Sequence, residues 1–190
     1  MKWLLGLVFS LKNKQTVAPW SWVIFFFGVS LVCFGSGYYH WNPNNDTLIW
    51  DRLPMTIGFM GLFIGILSEY VSPKIERRLL IPAVVLGFSS VVVWAYTDDL
   101  RFYFWIQLVS LLTIPLALIL FKGAYTLQRF LVYALVFYIL AKLAELYDKD
   151  IFDLDSGIIS GHSLKRILAA LAALSLYLML KRRQIFNRAM

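Results

Sequence analysis

The chain has 190 residues, of which 60% are hydrophobic and only 15% charged, and its mean hydropathy is +0.70. Soluble domains carry roughly 45–50% apolar and about 25% charged residues, so both departures exclude an ordinary water-soluble globule and point to a membrane protein. The formal charge of +7 does not call for nucleic acid, because the cations fall in a loop pattern that membrane insertion explains, and a single cysteine, Cys33, excludes an intrachain disulfide and a thiolate metal cluster.

The first apolar segment, Met1–Ser10, is too short to cross a bilayer and is followed by Leu-Lys-Asn-Lys. One reading is a signal peptide with Lys2 as its basic region and Leu4–Phe9 as its apolar one. That apolar region is short and no small-x-small cleavage pattern follows, which favours the other reading, a half-helix that is the stub of a further span. Continuous apolar runs then occupy 20–39, 53–71, 79–96, 102–121, 127–147 and 163–180. Each is close to the roughly 20 residues that cross a bilayer as helix, and open strands would leave backbone groups unpaired in lipid. The expected fold is therefore all-α: a polytopic membrane bundle of six full transmembrane helices plus the short N-terminal segment, with 1–190 forming a single integral-membrane domain. Pro82 and Pro115 lie within spans, where each removes a backbone donor and favours a kink.

Loop charges predict the orientation. Lys12 and Lys14, then Lys74, Arg77 and Arg78, then Lys122 and Arg129, then Lys181, Arg182, Arg183 and Arg188 mark alternate connections and the tail. The intervening loops hold Asp46 and Asp51, then Asp98 and Asp99, then Asp148, Asp150, Asp153 and Asp155, with only Arg52, Arg101 and Lys149 among them. The positive-inside rule places the basic loops and the C-terminus in the cytoplasm. His40, Asp51 and His162 then all belong to the non-cytoplasmic side.

Ionisable residues at membrane depth are functional candidates, and the tract Gly35–Met55 concentrates them. Ser36 and His40 are four apart and share a helix face, while Asp51 opens the next apolar run. Each has a plainer explanation. Ser36 sits in Gly-Ser-Gly, where small residues let helices approach. His40 stands among Tyr38, Tyr39 and Trp41, an interfacial aromatic belt. Asp51 suits a helix N-cap, with Pro54 tolerated in the first turn, and His162 follows Ser160-Gly161 in the first turn of the last helix. Elsewhere, Lys142 and Glu145 form an i,i+3 pair, Glu69 lies where Arg77 or Arg78 can neutralise it, and the basic tail at Lys181–Arg183 suits anionic headgroups.

Taken together, Ser-x-x-x-His, an Asp eleven residues on, and Gly-His-Ser-Leu-Lys opening the last helix resemble the alkaline ceramidase family, within a seven-helix superfamily that also holds adiponectin-type receptors. The tracts "GSGYYHWNPNNDTLIWDRLPMT" at 35–56, "YILAKLAELYDKDIF" at 138–152 and "SGHSLKRILAALAA" at 160–173 carry the resemblance, nearest to the bacterial ceramidase-like branch, and it extends more loosely from about residue 20 to 182. It implies an intramembrane zinc hydrolase of the ceramide amide bond in the bacterial inner membrane. Three histidines hold the metal in that family, one from the Ser-x-x-x-His helix and two from a His-x-x-x-His. By resemblance His40 and His162 are metal ligands, Asp51 takes the proton of the attacking water, and Ser36 stabilises the oxyanion. The implied partner is a membrane lipid entering sideways from the bilayer.

The chain departs from that pattern at Arg166, which stands where the third histidine belongs, and His40 and His162 are its only histidines. Arginine stays protonated and offers donors only, so it is no ligand. Three outcomes are open: a reduced metal centre of His40, His162 and Asp51; a metal-free site in which Arg166 pairs with Asp51, Glu145 or Asp148; or an Arg166 that extends to the outer interface. Function divides accordingly between a ceramidase-like hydrolase and a non-catalytic lipid-binding or structural relative.

Overall fold

The computed structural model describes residues 2–12, 17–123, 125–154 and 160–185. Lys14, Asp155 and Arg188, read above as loop charges, lie outside the described residues. Helices α1 (Lys2–Lys12), α2 (Pro19–Trp41), α3 (Asn45–Tyr70), α4 (Lys74–Thr97), α5 (Arg101–Leu120), α6 (Arg129–Leu146), α7 (Asp148–Leu154) and α8 (Gly161–Arg182) account for the regular structure, and among the described residues there is no strand beyond one isolated bridge, Tyr125 to Ile185. The all-helical expectation holds. Five helices, α2, α3, α4, α5 and α8, are long and apolar enough to cross a membrane, the pattern of an integral membrane protein. The sixth expected span corresponds to α6, which has only 18 residues and carries Arg129, Lys142 and Glu145 within them, so it is the shortest of the six and has no uncharged flank to spare.

Residues 1–124 and 125–190 form two compact units. In the first, α1 packs on α2, and α3 packs against α2, α4 and α5. Proline at the first position starts α2, where the missing N–H costs nothing. Carboxylates from other helices meet the next groups: the Ser21 N–H donates to Glu76 Oε1 at 2.7 Å, and the Trp22 indole donates to Glu69 Oε1 at 2.7 Å. Negative charge at a helix N-terminus also opposes its dipole. The Trp22 partner of Glu69 was not legible as a loop pairing, because it comes from 47 residues away.

The start of α3 corrects the sequence reading. The cap is Asn44, whose side chain accepts the Thr47 N–H at 2.9 Å while Thr47 Oγ1 accepts the Asn44 N–H at 3.2 Å, a closed capping box. Asp51 is therefore not an N-cap but lies in the second turn, and Pro54 lies inside the helix instead of in its first turn. The apolar run begins later than the helix because Asn45, Asp46 and Thr47, then Asp51 and Arg52, interrupt the hydropathy of its first two turns.

Met60 and Ile64 of α3, Leu80 and Ala83 of α4 and Ile106 of α5 form the main core of this unit. A second cluster, Val91, Trp94 and Tyr103, closes the end near the α2–α3 turn. Outward faces are apolar too: Phe34, Ile81 and Ile119 are 75–79% exposed, a surface suited to lipid and poorly suited to water. In the second unit α6 packs on α8, with Ala134, Ala141 and Ala144 buried on one and Ala172 and Ala173 on the other. Small side chains of this kind let helix backbones come close. The chain after α8 returns to the start of the unit, where Thr126 N–H donates to Gln184 O at 2.9 Å and Arg183 stacks 4.1 Å from the Tyr125 ring centre.

Candidate functional site

In the first unit a backbone contact between α2 and α3 sets Gly35 against Trp50 and brings the helix positions of Ser36 and Asp51 to one level. A methyl group on Gly35 would run into the Trp50 carbonyl and stand 3.3 Å from Asp51 Cα. Only hydrogen fits there. The carbonyl of Trp50 is the one left without its helical donor, since the residue four positions on is Pro54; a Cα–H of glycine is a weak but compatible partner for it. Ser36, the next residue on α2, thus stands level with Asp51, and His40 stands one turn nearer the connecting turn.

Ser36 and Asp51 are half-buried and His40 is exposed. The His40 ring meets that of its chain neighbour Tyr39 edge to face, with centres 5.2 Å apart. The site is thus an open end of a helical hairpin, bearing a hydroxyl, an imidazole and a carboxylate.

His162 and Arg166 stand in the first turns of α8, in the second unit. The N-terminus of α8 is held by two oxygens: Ser160 Oγ accepts the Ser163 N–H at 3.1 Å, and Asp148 Oδ1 accepts the His162 N–H at 2.7 Å. Gly161 makes this possible, because a Cβ there would strike the Ala144 carbonyl and lie 2.7 Å from Asp148 Cα. Asp148 therefore fixes the backbone that carries His162. About one turn further, Lys165 pairs with Glu145, which also binds Lys142 at 2.9 Å. The Lys142–Glu145 pair was legible from its spacing; its extension to Lys165, twenty residues on, was not. Arg166 is exposed.

A further residue escaped the sequence reading. Arg52, beside Asp51, lies 4.3 Å from the Trp94 ring centre and 5.2 Å from that of Tyr103. Aromatic residues on two other helices gave no local signal of this.

The donor set can be tested against the zinc centre that the resemblance implies. The chain holds two histidines in all, and no three His, Cys, Asp or Glu side chains among the described residues gather as a metal site. Arg166, with donors only, stands where the resemblance puts the third histidine. The residues present do not fit a three-histidine zinc centre. Comparison with family models, with curated proteins and with solved structures gives no match.

Proposed function

We propose that this chain is a ceramidase-like membrane hydrolase of lipid amide bonds, with a ceramide-type substrate taken from the bilayer. The observation that carries the reading is the backbone contact at Gly35, which sets Ser36 level with Asp51, with His40 one turn further along α2. These are the residue types, in the order and spacing, of the family motif that the sequence resembles. In this reading Asp51 accepts the proton of the attacking water, as a positioned carboxylate does in general base catalysis. Ser36 donates to the amide oxygen as charge builds on it, and the products are a fatty acid and a sphingoid base. Six spans, a cytoplasmic C-terminus and a site at the non-cytoplasmic face of a bacterial inner membrane complete the proposal.

A second reading, a lipid-binding relative without catalysis, is favoured by one observation, the replacement of the third histidine by Arg166. A single assay separates them. The full chain, purified in a mild detergent, is incubated with a ceramide bearing a fluorescent acyl chain, and released fatty acid is followed. Hydrolase activity predicts release that Asp51→Asn abolishes. Saturable ceramide binding with no release establishes the second reading and overturns the first. Arg166→His sharpens the outcome: stoichiometric zinc uptake by that variant alone, read by metal analysis, identifies Arg166 as what removed the metal.

A further inference from the structure

A half-buried cation is costly unless something meets it, and arginine in such places usually faces a carboxylate or a phosphate. Arg52 has no such partner. Among the described residues no carboxylate pairs with it, and its Nη1 is sealed from solvent without an acceptor. Asp99, on the nearby α4–α5 connection, is already taken by Arg101 at 2.6 Å. What holds Arg52 is aromatic: its guanidinium lies over Trp94 and Tyr103, which are 4% and 5% exposed within the core cluster. Two rings within 4.3 and 5.2 Å of the guanidinium carbon partly compensate its desolvation, but beyond the sealed Nη1 they leave its Nε and Nη2 donors without an acceptor among the described residues. The cation thus stands next in sequence to Asp51 and at the same level of α3.

We propose that Arg52 is the anion-recognition residue of this end of the first unit and takes the phosphate of a lipid headgroup. The fork of a stacked guanidinium matches phosphate oxygens in a paired geometry that lysine cannot reproduce. The proposal rests on the reading of this end as a lipid site and adds to it a class of ligand, an amphiphile with a phosphate-type group. An uncharged ceramide gives Arg52 nothing to bind.

The experiment uses the full chain in neutral detergent, with dodecyl phosphate and inorganic phosphate as separate titrants and binding read by calorimetry. Dodecyl phosphate is expected to bind saturably, inorganic phosphate at least about tenfold more weakly, and Arg52→Gln to weaken dodecyl phosphate by about tenfold or more. If Arg52→Gln is not monodisperse and helical, Arg52→Lys replaces it, with a several-fold loss expected because charge is kept and the fork is lost. Equal dodecyl phosphate affinity in the wild type and a folded variant overturns the inference. Inorganic phosphate binding as tightly as dodecyl phosphate overturns the lipid assignment. Dodecyl phosphate has no amide, so these results are independent of hydrolysis: ceramide cleavage with no Arg52 effect sinks this inference alone, and Arg52-dependent binding without cleavage sinks only the proposed hydrolase.

Discussion

Gly35 on α2 faces the carbonyl of Trp50 on α3 with no room for a side chain between them. That carbonyl is also the one whose helical donor is missing at Pro54, so two local departures from helix regularity meet at one point. Gly35→Ala is expected to destabilise the fold by about 1–3 kcal/mol or more, the range for overpacking a close contact, because the obstacle is backbone that cannot rotate away. Gly37, two residues on, faces open space, with nothing within 4 Å of where a methyl group would stand. Gly37→Ala is therefore expected to be neutral or slightly stabilising, by up to about 1 kcal/mol from helix propensity. Denaturant unfolding of both variants in detergent, followed by helicity, checks the contrast.

Asp148 acts at the start of α8 through one oxygen. Asp148→Ala removes the acceptor of the His162 N–H and is expected to cost about 1 kcal/mol, as for other lost caps. Asp148→Asn keeps an acceptor oxygen and loses less. Hydrogen exchange at the His162 amide is the specific readout: faster exchange in the alanine variant, with the middle of α8 unchanged, is the expected result.

Glu145 binds lysines from two helices, Lys142 at 2.9 Å and Lys165 across from α8. Its side chain is 38% exposed and that of Lys142 is 40% exposed, so solvent screening limits the worth of the network. Glu145→Gln is expected to lower stability by about 1 kcal/mol, through two lysines left facing one another as much as through lost attraction. The effect should shrink as salt is raised toward 1 M, and a salt-independent loss of stability would contradict the electrostatic account.

Asp99 provides a pH-dependent contact outside the spans. The hydrogen bonds from the Arg101 side chain and backbone lower its carboxyl pKa from 3.8 to about 2. A depressed folded-state pKa means that the contact contributes fully above pH 3.8 and is lost as pH falls through about 2. Carbon NMR of the Asp99 carboxyl is expected to give a midpoint near 2, returning to the ordinary aspartate range in Arg101→Gln. Because the pair lies at the surface, with the Arg101 side chain 87% exposed, the variant should leave global stability nearly unchanged.

Much of the helical layout was legible because apolar runs report membrane-crossing length directly. Where a run and a helix differ, the sequence misled: α3 starts at Asn45, inside a polar tract, since the Asn44–Thr47 capping box and not hydropathy decides the first turn. Lys142 and Glu145 were legible as neighbours because helix geometry alone sets an i,i+3 contact. Lys165, the Glu69–Trp22 bond and the stacking of Arg52 required knowing which helices touch, and no local period carries that information. Ser36, His40 and Asp51 were singled out by their chemistry, but the reason Ser36 and Asp51 stand at one level, a glycine opposite a proline-freed carbonyl, is a property of two helices together.

The Gly35 contact has a consequence for how this protein can diversify. The distance between the α2 and α3 backbones is set there by main-chain atoms, independently of the side chains on either flank. Exchanging neighbours such as Tyr39 or Arg52 therefore leaves the separation of the two helices in place. Spacing at this end belongs to the main chain, and the surrounding side chains can vary without moving it.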